Sequence, residues 1–393
     1  MQIAENVYSV GVLNPTMRIF DIIMRTKFGT SYNAYLVKGT EKTALIEGAH
    51  KGFFETFAKN ITEVTDFANI DYLIVNHTEP DHSGAIRFLL EQNPDLLVYG
   101  TAACLKNLDN ICRIPFNRVT VKDGDTLDLG GKTFTFCVSP NIHWPDTMMT
   151  YLNEDKILFS CDFLGAHIAE PTMFLHSAYR KDYYETEFEN YYYAIMHPFA
   201  KFVLRALDRI KDLDIKMVCP SHGPILVDDE ITAAKEKYRT WATPQAREKK
   251  AVAIYYVSAY GYTRELCNYL SDKLAAKNID VKAFDVIHTD AETIAENLEA
   301  DCLVFGSPTI NRAALKPVLD VISSIDAVTA AGKPYATLGC FGWSGEACGQ
   351  LNDRLNGIKM KQVGESIRSQ FAPTDEVFAQ LDALAEQIAE TIA

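Results

Sequence analysis

The sequence predicts an α/β protein in two parts. Over residues 1–248, short apolar strand-like runs end in loops that carry clustered imidazoles and carboxylates. Over residues 249–393, strand-then-helix alternation repeats five times in about 140 residues, the pattern of a doubly wound parallel sheet. Between them, residues 231–250 are polar with a helical pattern and read as a connector.

In the first part, residues 7–10 and 34–37 are strand-like, and residues 43–47 follow the turn Lys38-Gly39-Thr40. Residues 53–60 have a helical pattern. Residues 71–75, Asp-Tyr-Leu-Ile-Val, form an apolar run of strand length. A helix is expected over 85–92, with turns at 122–125 and 129–131. Residues 183–211 read as one long helical region, in which Tyr191-Tyr192-Tyr193 suits core and interface packing.

The chemistry gathers directly after strands. The run 71–75 leads into Asn76-His77-Thr78-Glu79-Pro80-Asp81-His82-Ser83-Gly84. The strand pattern 134–138 leads to His143-Trp144-Pro145-Asp146, 156–161 leads to Asp162, and 215–219 leads to Pro220-Ser221-His222-Gly223. Side chains leaving neighbouring strand ends converge. Imidazoles and carboxylates at a shared point stay under-satisfied unless a cation lies between them. A polar capping loop would explain one such segment; four with the same grammar point to one metal site.

Composition narrows the function classes. Hydrophobic content of 48% and charged content of 23% over 393 residues are ordinary for a soluble globular protein of two or three domains. A net charge of −14 argues against a nucleic-acid binder, which needs a basic face, while leaving room for a small protein partner on a local basic patch. No apolar run reaches the roughly 18 residues of a membrane helix. Residues 1–6 lack the basic and apolar regions of a signal peptide. Nine cysteines, none spaced C-x-x-C, disfavour a disulfide framework and exclude a rubredoxin-like iron site within the chain. Free thiols fit a reducing cytoplasm.

In the second part, strands are expected at 251–257, 281–287, 301–305, 335–339 and near 361–370. Helices are expected at 263–277, 291–299, 315–325, 345–356 and 374–392. Ligands of such sheets bind outside the carboxyl ends of the strands. Three loops lie there. Ser258-Ala259-Tyr260-Gly261-Tyr262-Thr263 opens a helix and offers hydroxyls, a glycine and helix N-terminal N–H groups, the parts of a phosphate cradle. It carries neither a P-loop lysine nor G-x-G-x-x-G, so an NTP or a dinucleotide is disfavoured. Gly306-Ser307-Pro308-Thr309-Ile310-Asn311 and Gly339-Cys340-Phe341-Gly342-Trp343-Ser344-Gly345 suit a flat ring held by backbone groups. Together they favour a mononucleotide such as FMN.

The set His77-x-Glu79-x-Asp81-His82, His143, Asp162 and His222, with His143-Trp144-Pro145-Asp146, Ser221-His222-Gly223 and Gly342-Trp343-Ser344-Gly345, resembles the flavodiiron (A-type flavoprotein) family. The resemblance spans essentially the whole chain. It implies a metallo-β-lactamase-like αββα sandwich over 1–248 and a flavodoxin-like domain over 249–393. Glu79 stands where zinc hydrolases of that fold carry a second His. Three carboxylates with four imidazoles form a harder, more anionic set than a zinc hydrolase site, which favours iron. By the family pattern His77, Glu79 and His143 bind one iron, Asp81, His82 and His222 the other, and Asp162 bridges. His82's position is not ligated in every member.

The resemblance further implies a terminal reductase. FMN feeds two irons that reduce dioxygen to water or nitric oxide to nitrous oxide, in defence against oxidative or nitrosative stress. Dioxygen is the favoured substrate. The electron donor is expected to be separate, a rubredoxin-type protein first and a reduced deazaflavin second. A head-to-tail homodimer, or a dimer of such dimers, is expected. The competing readings are a metallohydrolase with a flavodoxin-like accessory domain and a non-enzymatic electron carrier. His167 suits a pocket role or a structural role equally, whereas His50, His176, His197 and His288 read as structural or solvated. The chain departs from the family at Phe20-Asp21-Ile22 (often Phe-His-Gly), at Val257-Ser258-Ala259 (often Asp-Thr-Met) and at Glu346 (often Gly). The first departure, with Lys27, bears on the pocket above the metals.

Overall fold

A computed structural model describes residues 1–21, 24–244 and 246–393. Contacts divide it between Met1–Pro244 and Gln245–Ala393.

The first unit holds two large sheets. One has seven strands, in the order Gln2–Ala4, Val7–Ser9, Tyr35–Lys38, Thr43–Ile46, Tyr72–Ile74, Leu97–Gly100 and Asn117–Thr120. The other has six, in the order Thr126–Asp128, Thr133–Val138, Met148–Leu152, Ile157–Cys161, Met217–Pro220 and Leu226–Val227. Period-two alternation sorts the side chains of each strand between two cores. Tyr35, Val37, Ala44, Ile46 and Ile74 of the first sheet share a core with Phe134, Phe136, Met148, Leu152 and Phe159 of the second. Their neighbours Leu36, Leu45, Leu73 and Val75 pack instead under helices Phe54–Thr62, Ile86–Gln92 and Ala102–Cys112. On the far side Met149, Tyr151, Leu158 and Val218 pack under helices Lys181–Tyr191, Ala200–Arg209 and Asp229–Ala242. The result is a four-layer αββα sandwich. Each fully buried Leu, Ile or Phe contributes about 1.5–3 kcal/mol.

Two expectations for this unit are corrected. The helical region 183–211 is interrupted: helix Lys181–Tyr191 runs into a wide π-type turn at Tyr192–Met196 and a tight turn at His197–Phe199 before helix Ala200–Arg209. Pro198 supplies the cause, since it lacks an N–H and its ring collides with the preceding turn. Nor is 231–250 a free connector. Helix Asp229–Ala242 buries Ile231, Ala234, Tyr238 and Ala242, a narrow stripe that its polar composition conceals, and packs into the first unit. The linking residues are those beyond 242, of which Gln245 lies outside the described residues.

The second unit is a parallel sheet with its strands in the order Asp280–Asp285, Ala251–Tyr256, Cys302–Gly306, Pro334–Phe341 and Lys361–Gln362, and Ile367–Gln370 also pairs with Pro334–Phe341. The strand expected near 361–370 is thus two short ones. Helices Tyr262–Ala275 and Asp375–Ile392 cover one face through Leu266, Leu270, Leu381 and Ile388. Helices Lys316–Ser323 and Ala347–Gly357 cover the other through Val318, Ile322, Leu351 and Leu355. The second strand sits outside the first and the third on its other side, so the switch point falls between the first and third strands.

Candidate metal centre and flavin site

The sandwich brings the four ligand-bearing loops to one end. Strands Ile157–Cys161 and Met217–Pro220 are parallel neighbours, paired Cys161 with Pro220, so Asp162 and His222 leave side by side. Asn76 ties the two sheets together at this end. Its carbonyl accepts from the Met148 amide at 2.9 Å, and its Oδ1 accepts from Thr150 Oγ1 at 2.7 Å. Glu47, His143 and Cys161 hold left-handed backbone angles, with φ of 62°, 35° and 56°. Such strain persists only where surrounding contacts impose it.

All seven sequence-predicted metal residues come together, in two groups. His77, Glu79, His143 and Asp162 present one ligand atom each, all within 4.8 Å of one another, and so do Asp81, His82 and His222. In the first group His143 Nε2 is 3.1 Å from Glu79 Oε2 and 2.9 Å from Asp162 Oδ2, and His77 Nε2 is 3.2 Å from Glu79 Oε2. In the second, His222 Nε2 is 3.1 Å from Asp81 Oδ2. The other oxygen of Asp162, Oδ1, lies 3.0 Å from His82 Nε2 and 3.4 Å from His222 Nε2. One carboxylate therefore faces both groups, an oxygen to each. His82 stands fully within the second group.

Outer partners fix which imidazole nitrogen faces inward. His77 Nδ1 donates to Asp146 Oδ1 at 3.2 Å, while Asp146 Oδ2 accepts from the Thr78 amide and hydroxyl. His222 Nδ1 donates to the Ser31 carbonyl at 2.6 Å. Glu47, almost fully buried, accepts from the Asn76 amide and turns its other oxygen to 3.9 Å from His82 Nδ1. Asp146 and Glu47 were not assigned roles from sequence. Glu47 obeys the same strand-end rule, directly after Thr43–Ile46.

The cluster sets carboxylates against imidazoles in a buried interior. Burial opposes the charged form of His77, but bonds to Asp146 and Glu79 outweigh it and push its pKa up to about 9. Burial likewise opposes charge on His82, His143 and His222, yet the surrounding carboxylates raise all three. Burial raises Glu79 and Asp162, and the imidazoles overcome it and lower both. Both oxygens of Asp81, Nε2 of His82 and Oδ1 of Asp162 are buried and, despite approaches of 3.0 and 3.1 Å among them and His222, close no hydrogen bond of good geometry. Cations between these atoms would satisfy them all, so the residues fit a two-metal site.

Above the second group the Phe20 ring packs 4.2 Å from His167 and 5.7 Å from His222. His167 is fully buried, its Nδ1 2.9 Å from Thr30 Oγ1, and burial drives its pKa far down, leaving a neutral imidazole. Asp21, on the exposed turn after Phe20, inclines its carboxyl toward Glu79; partial burial and the Glu79 and Asp81 carboxylates raise its pKa. Lys27 sits over the Phe28 and Tyr183 rings, at 5.2 and 4.9 Å. Ile22 lies outside the described residues. His50 caps the turn after it by accepting from the Gly52 amide, and His176 and His288 are exposed.

In the second unit, strand register assembles the three loops. Tyr256 pairs with Gly306, and Gly306 pairs with Leu338, so residues 258–263, 307–311 and 339–345 emerge together at the switch point. Ser258 Oγ accepts from the Gly261 amide at 3.1 Å and the Arg264 amide at 3.3 Å, which curls Ala259 and Tyr260 around the start of helix Tyr262–Ala275. Gly261 has φ +94°, a conformation that needs glycine. The helix leaves its first N–H groups without intrahelical acceptors, a ready anion cradle. Thr263 is buried with its hydroxyl on Cys340 Sγ. Ser307 Oγ accepts from the Leu315 amide and Thr309 Oγ1 from the Ala347 amide, fixing Pro308, Ile310 and Asn311 between them. Gly339 meets Ser307 so closely that a Cβ would lie 2.0 Å from its carbonyl oxygen. Tyr260 and Trp343 stand 87% and 72% exposed on opposite loops, flanked by Phe341, Gly342, Ser344 and Gly345. Two flat aromatic faces beside an anion cradle fit a phosphorylated planar ring.

Comparison with known proteins agrees with both halves. The family model described as ODP family beta lactamase matches residues 30–223, and the one described as flavodoxin matches residues 254–383. Fold and site thus define a flavoprotein with a β-lactamase-type metal domain. The chain is 41% identical to flavo-diiron protein FprA2 of Clostridium acetobutylicum, over 100% of this chain and 99% of that one. It is 33% identical to a nitric oxide reductase of Moorella thermoacetica, over 100% and 98%. Its structure is similar to that of rubredoxin oxygen:oxidoreductase of Desulfovibrio gigas, with a TM-score of 0.71, 28% identity, and coverage of 100% and 98%. The chain belongs to the flavodiiron protein family, an oxidoreductase family whose cofactors are FMN and a non-haem di-iron centre. That membership sets aside the metallohydrolase and the passive electron carrier. Among the described residues no helix is long and apolar enough to cross a membrane.

Proposed function

We propose that His77, Glu79 and His143 hold one iron, that Asp81, His82 and His222 hold the second, and that Asp162 bridges them. The observation that carries this reading is the division of Asp162, Oδ2 toward His143 and Oδ1 toward His82. The loops 258–263, 307–311 and 339–345 hold FMN, its phosphate on the start of helix Tyr262–Ala275 and its ring against Trp343. When bound, the iron pair and FMN together supply four electrons, enough to reduce dioxygen to two waters; coupling two nitric oxides to nitrous oxide takes two. The protein's own part is to fix ligand orientation through Asp146, Glu47 and the Ser31 carbonyl, and to keep water off one side with Phe20 and His167. His143, the least buried ligand with 12% of its side chain exposed, marks the open side.

Dioxygen is the substrate we favour, because the four-electron demand matches what the paired cofactors store. Among the relatives, the Desulfovibrio protein is named for oxygen and the Moorella protein for nitric oxide. Paired turnover with one reductant separates them. Faster nitrous oxide formation than dioxygen consumption reverses the assignment, and stoichiometric hydrogen peroxide contradicts a four-electron reaction.

The donor we propose is a separate rubredoxin-type protein, with a reduced deazaflavin second; both are tested by mixing each with the protein under dioxygen. The nine thiols are free, which supports a reducing compartment such as the cytoplasm. We further propose a head-to-tail homodimer that brings one subunit's flavin to its partner's metals. Mixing a chain lacking metal ligands with one lacking flavin binding is then expected to restore turnover on subunit exchange. A fully active monomer contradicts that arrangement.

Removing Asp146 frees the His77 ring without touching a ligand. Asp146→Ala is expected to lower metal affinity by about 10–100-fold, the usual cost of losing an outer partner. Titration of the apoprotein with ferrous ion reads it; an unchanged affinity assigns Asp146 to folding alone.

A further inference from the structure

Asp146, the outer partner of His77, is itself held by one helix, Ala102–Cys112. Thr101 caps this helix by accepting from the Cys104 amide at 3.2 Å, and turns its own proton to the Asp146 carbonyl at 3.0 Å. Further along, Asn107 Nδ2 donates to Thr78 Oγ1 at 2.8 Å, and Thr78 Oγ1 donates to Asp146 Oδ2 at 2.5 Å. Cys104 Sγ adds a third tie, 3.5 Å from the carbonyl of Val75, just past strand Tyr72–Ile74. Asn107, Thr78, Asp146 and His77 thus form a continuous chain of hydrogen bonds. Its inner members Thr78, Asp146 and His77 are buried, and Asn107 ends it half-buried on the helix.

Chemistry fixes the direction of this chain. A carboxylate only accepts, so the Thr78 hydroxyl must donate to Asp146. The hydroxyl has one proton, which leaves only its lone pairs for Asn107. Asn107 must therefore present its amide nitrogen, the end that only donates. Asp146 Oδ2 accepts from both the amide and the hydroxyl of Thr78, while Oδ1 accepts from His77 Nδ1. The two oxygens share one negative charge. Each donor on Oδ2 draws charge from Oδ1 and relaxes its pull on the His77 proton, because linked hydrogen bonds polarise one another.

We propose that Asn107 is a positioning residue for the metal centre: by donating to Thr78 it keeps that hydroxyl aimed at Asp146, and so sets how basic a ligand His77 is. The inference rests on the reading of His77 as an iron ligand. Outer carboxylates raise the basicity of a ligating imidazole. Turning the Thr78 proton away leaves more charge on Asp146 Oδ1, makes His77 the stronger electron donor and favours ferric over ferrous iron.

Asn107→Asp reverses the chain with little change of shape. The new carboxylate accepts the Thr78 proton and leaves Oδ2 with the Thr78 amide alone. The ratio of ferric to ferrous affinity is expected to rise about tenfold, which lowers the midpoint potential of the iron pair by about 59 mV in a spectroelectrochemical titration. Iron and FMN contents are expected to stay at the parent level. The added charge also acts through space, and Thr78→Val separates the two effects. That variant has no hydroxyl and is expected to lower the potential by itself. Adding Asn107→Asp to it should then shift the potential by less than half as much as in the parent, the non-additivity of a shared network. Equal shifts in both backgrounds, or no shift in Asn107→Asp, overturn the proposal. Thr78→Ser keeps a hydroxyl and is expected to keep the parent potential. Should Asn107→Asp load no iron, Thr78→Val against Thr78→Ser carries the same test, and equal potentials overturn the proposal. A His77→Ala variant that retains both irons refutes the ligand assignment and the proposal with it. An unmoved potential in Asn107→Asp beside an iron-poor His77→Ala refutes the role of Asn107 alone.

Discussion

Asp162→Ala is expected to empty the metal domain while leaving the flavin domain loaded. Asp162 turns one oxygen to each group, Oδ2 to His143 and Oδ1 to His82. On the proposed reading its removal takes a ligand from two metals at once, and it leaves His82 and His143 without the carboxylate that faces them. Losing an outer partner alone costs about 10–100-fold in metal affinity, and losing this bridge is expected to exceed about 100-fold. Iron per chain should fall below about a quarter of the parent value while the flavin absorbance stays unchanged. Asp162→Glu, which keeps a carboxylate, should retain part of the iron. Unchanged iron in Asp162→Ala would show that the two groups are not bridged.

The reverse separation is expected from Gly339→Ala. A Cβ there lies 2.0 Å from the Ser307 carbonyl oxygen, far inside contact distance. Backbone stands on both sides, so neither loop yields by turning a side chain. The Ser307 amide bond to Leu338 and the Thr309 amide bond to Cys340 must stretch, moving the second and third loops apart. Overpacking of this kind costs about 1–3 kcal/mol. If the strain appears as lost flavin contact, FMN affinity drops by roughly 10–100-fold. Iron content is expected to stay at the parent level, which separates a local flavin effect from misfolding. Flavin titration that gives the parent affinity would mean that the ring and phosphate do not depend on this close approach.

The convergence of the candidate metal residues was legible in the sequence because a strand end is a directional signal. His77, His143, Asp162 and His222 each follow an apolar run, and parallel or sheet-tied neighbours make such ends converge. The strand-helix alternation of the second unit was legible for a similar reason, as each element is long and its period regular. Asp146 and Glu47 were less visible. Their roles depend on which imidazole nitrogen they face, and spacing alone does not encode that. The helix Asp229–Ala242 resembled a connector because its apolar stripe is only one residue wide at Ile231, Ala234, Tyr238 and Ala242. The break after Tyr191 was marked by Pro198, yet the helical pattern on both sides obscured it.

The central claim is a pair of irons bridged by Asp162 beside His82. Anomalous diffraction at the iron edge from crystals of the loaded protein tests it most directly. Two iron peaks per chain about 3.5–4 Å apart, with Asp162 between them and His82 on the second, are the predicted result. A single peak, or two peaks that Asp162 does not bridge, would contradict it.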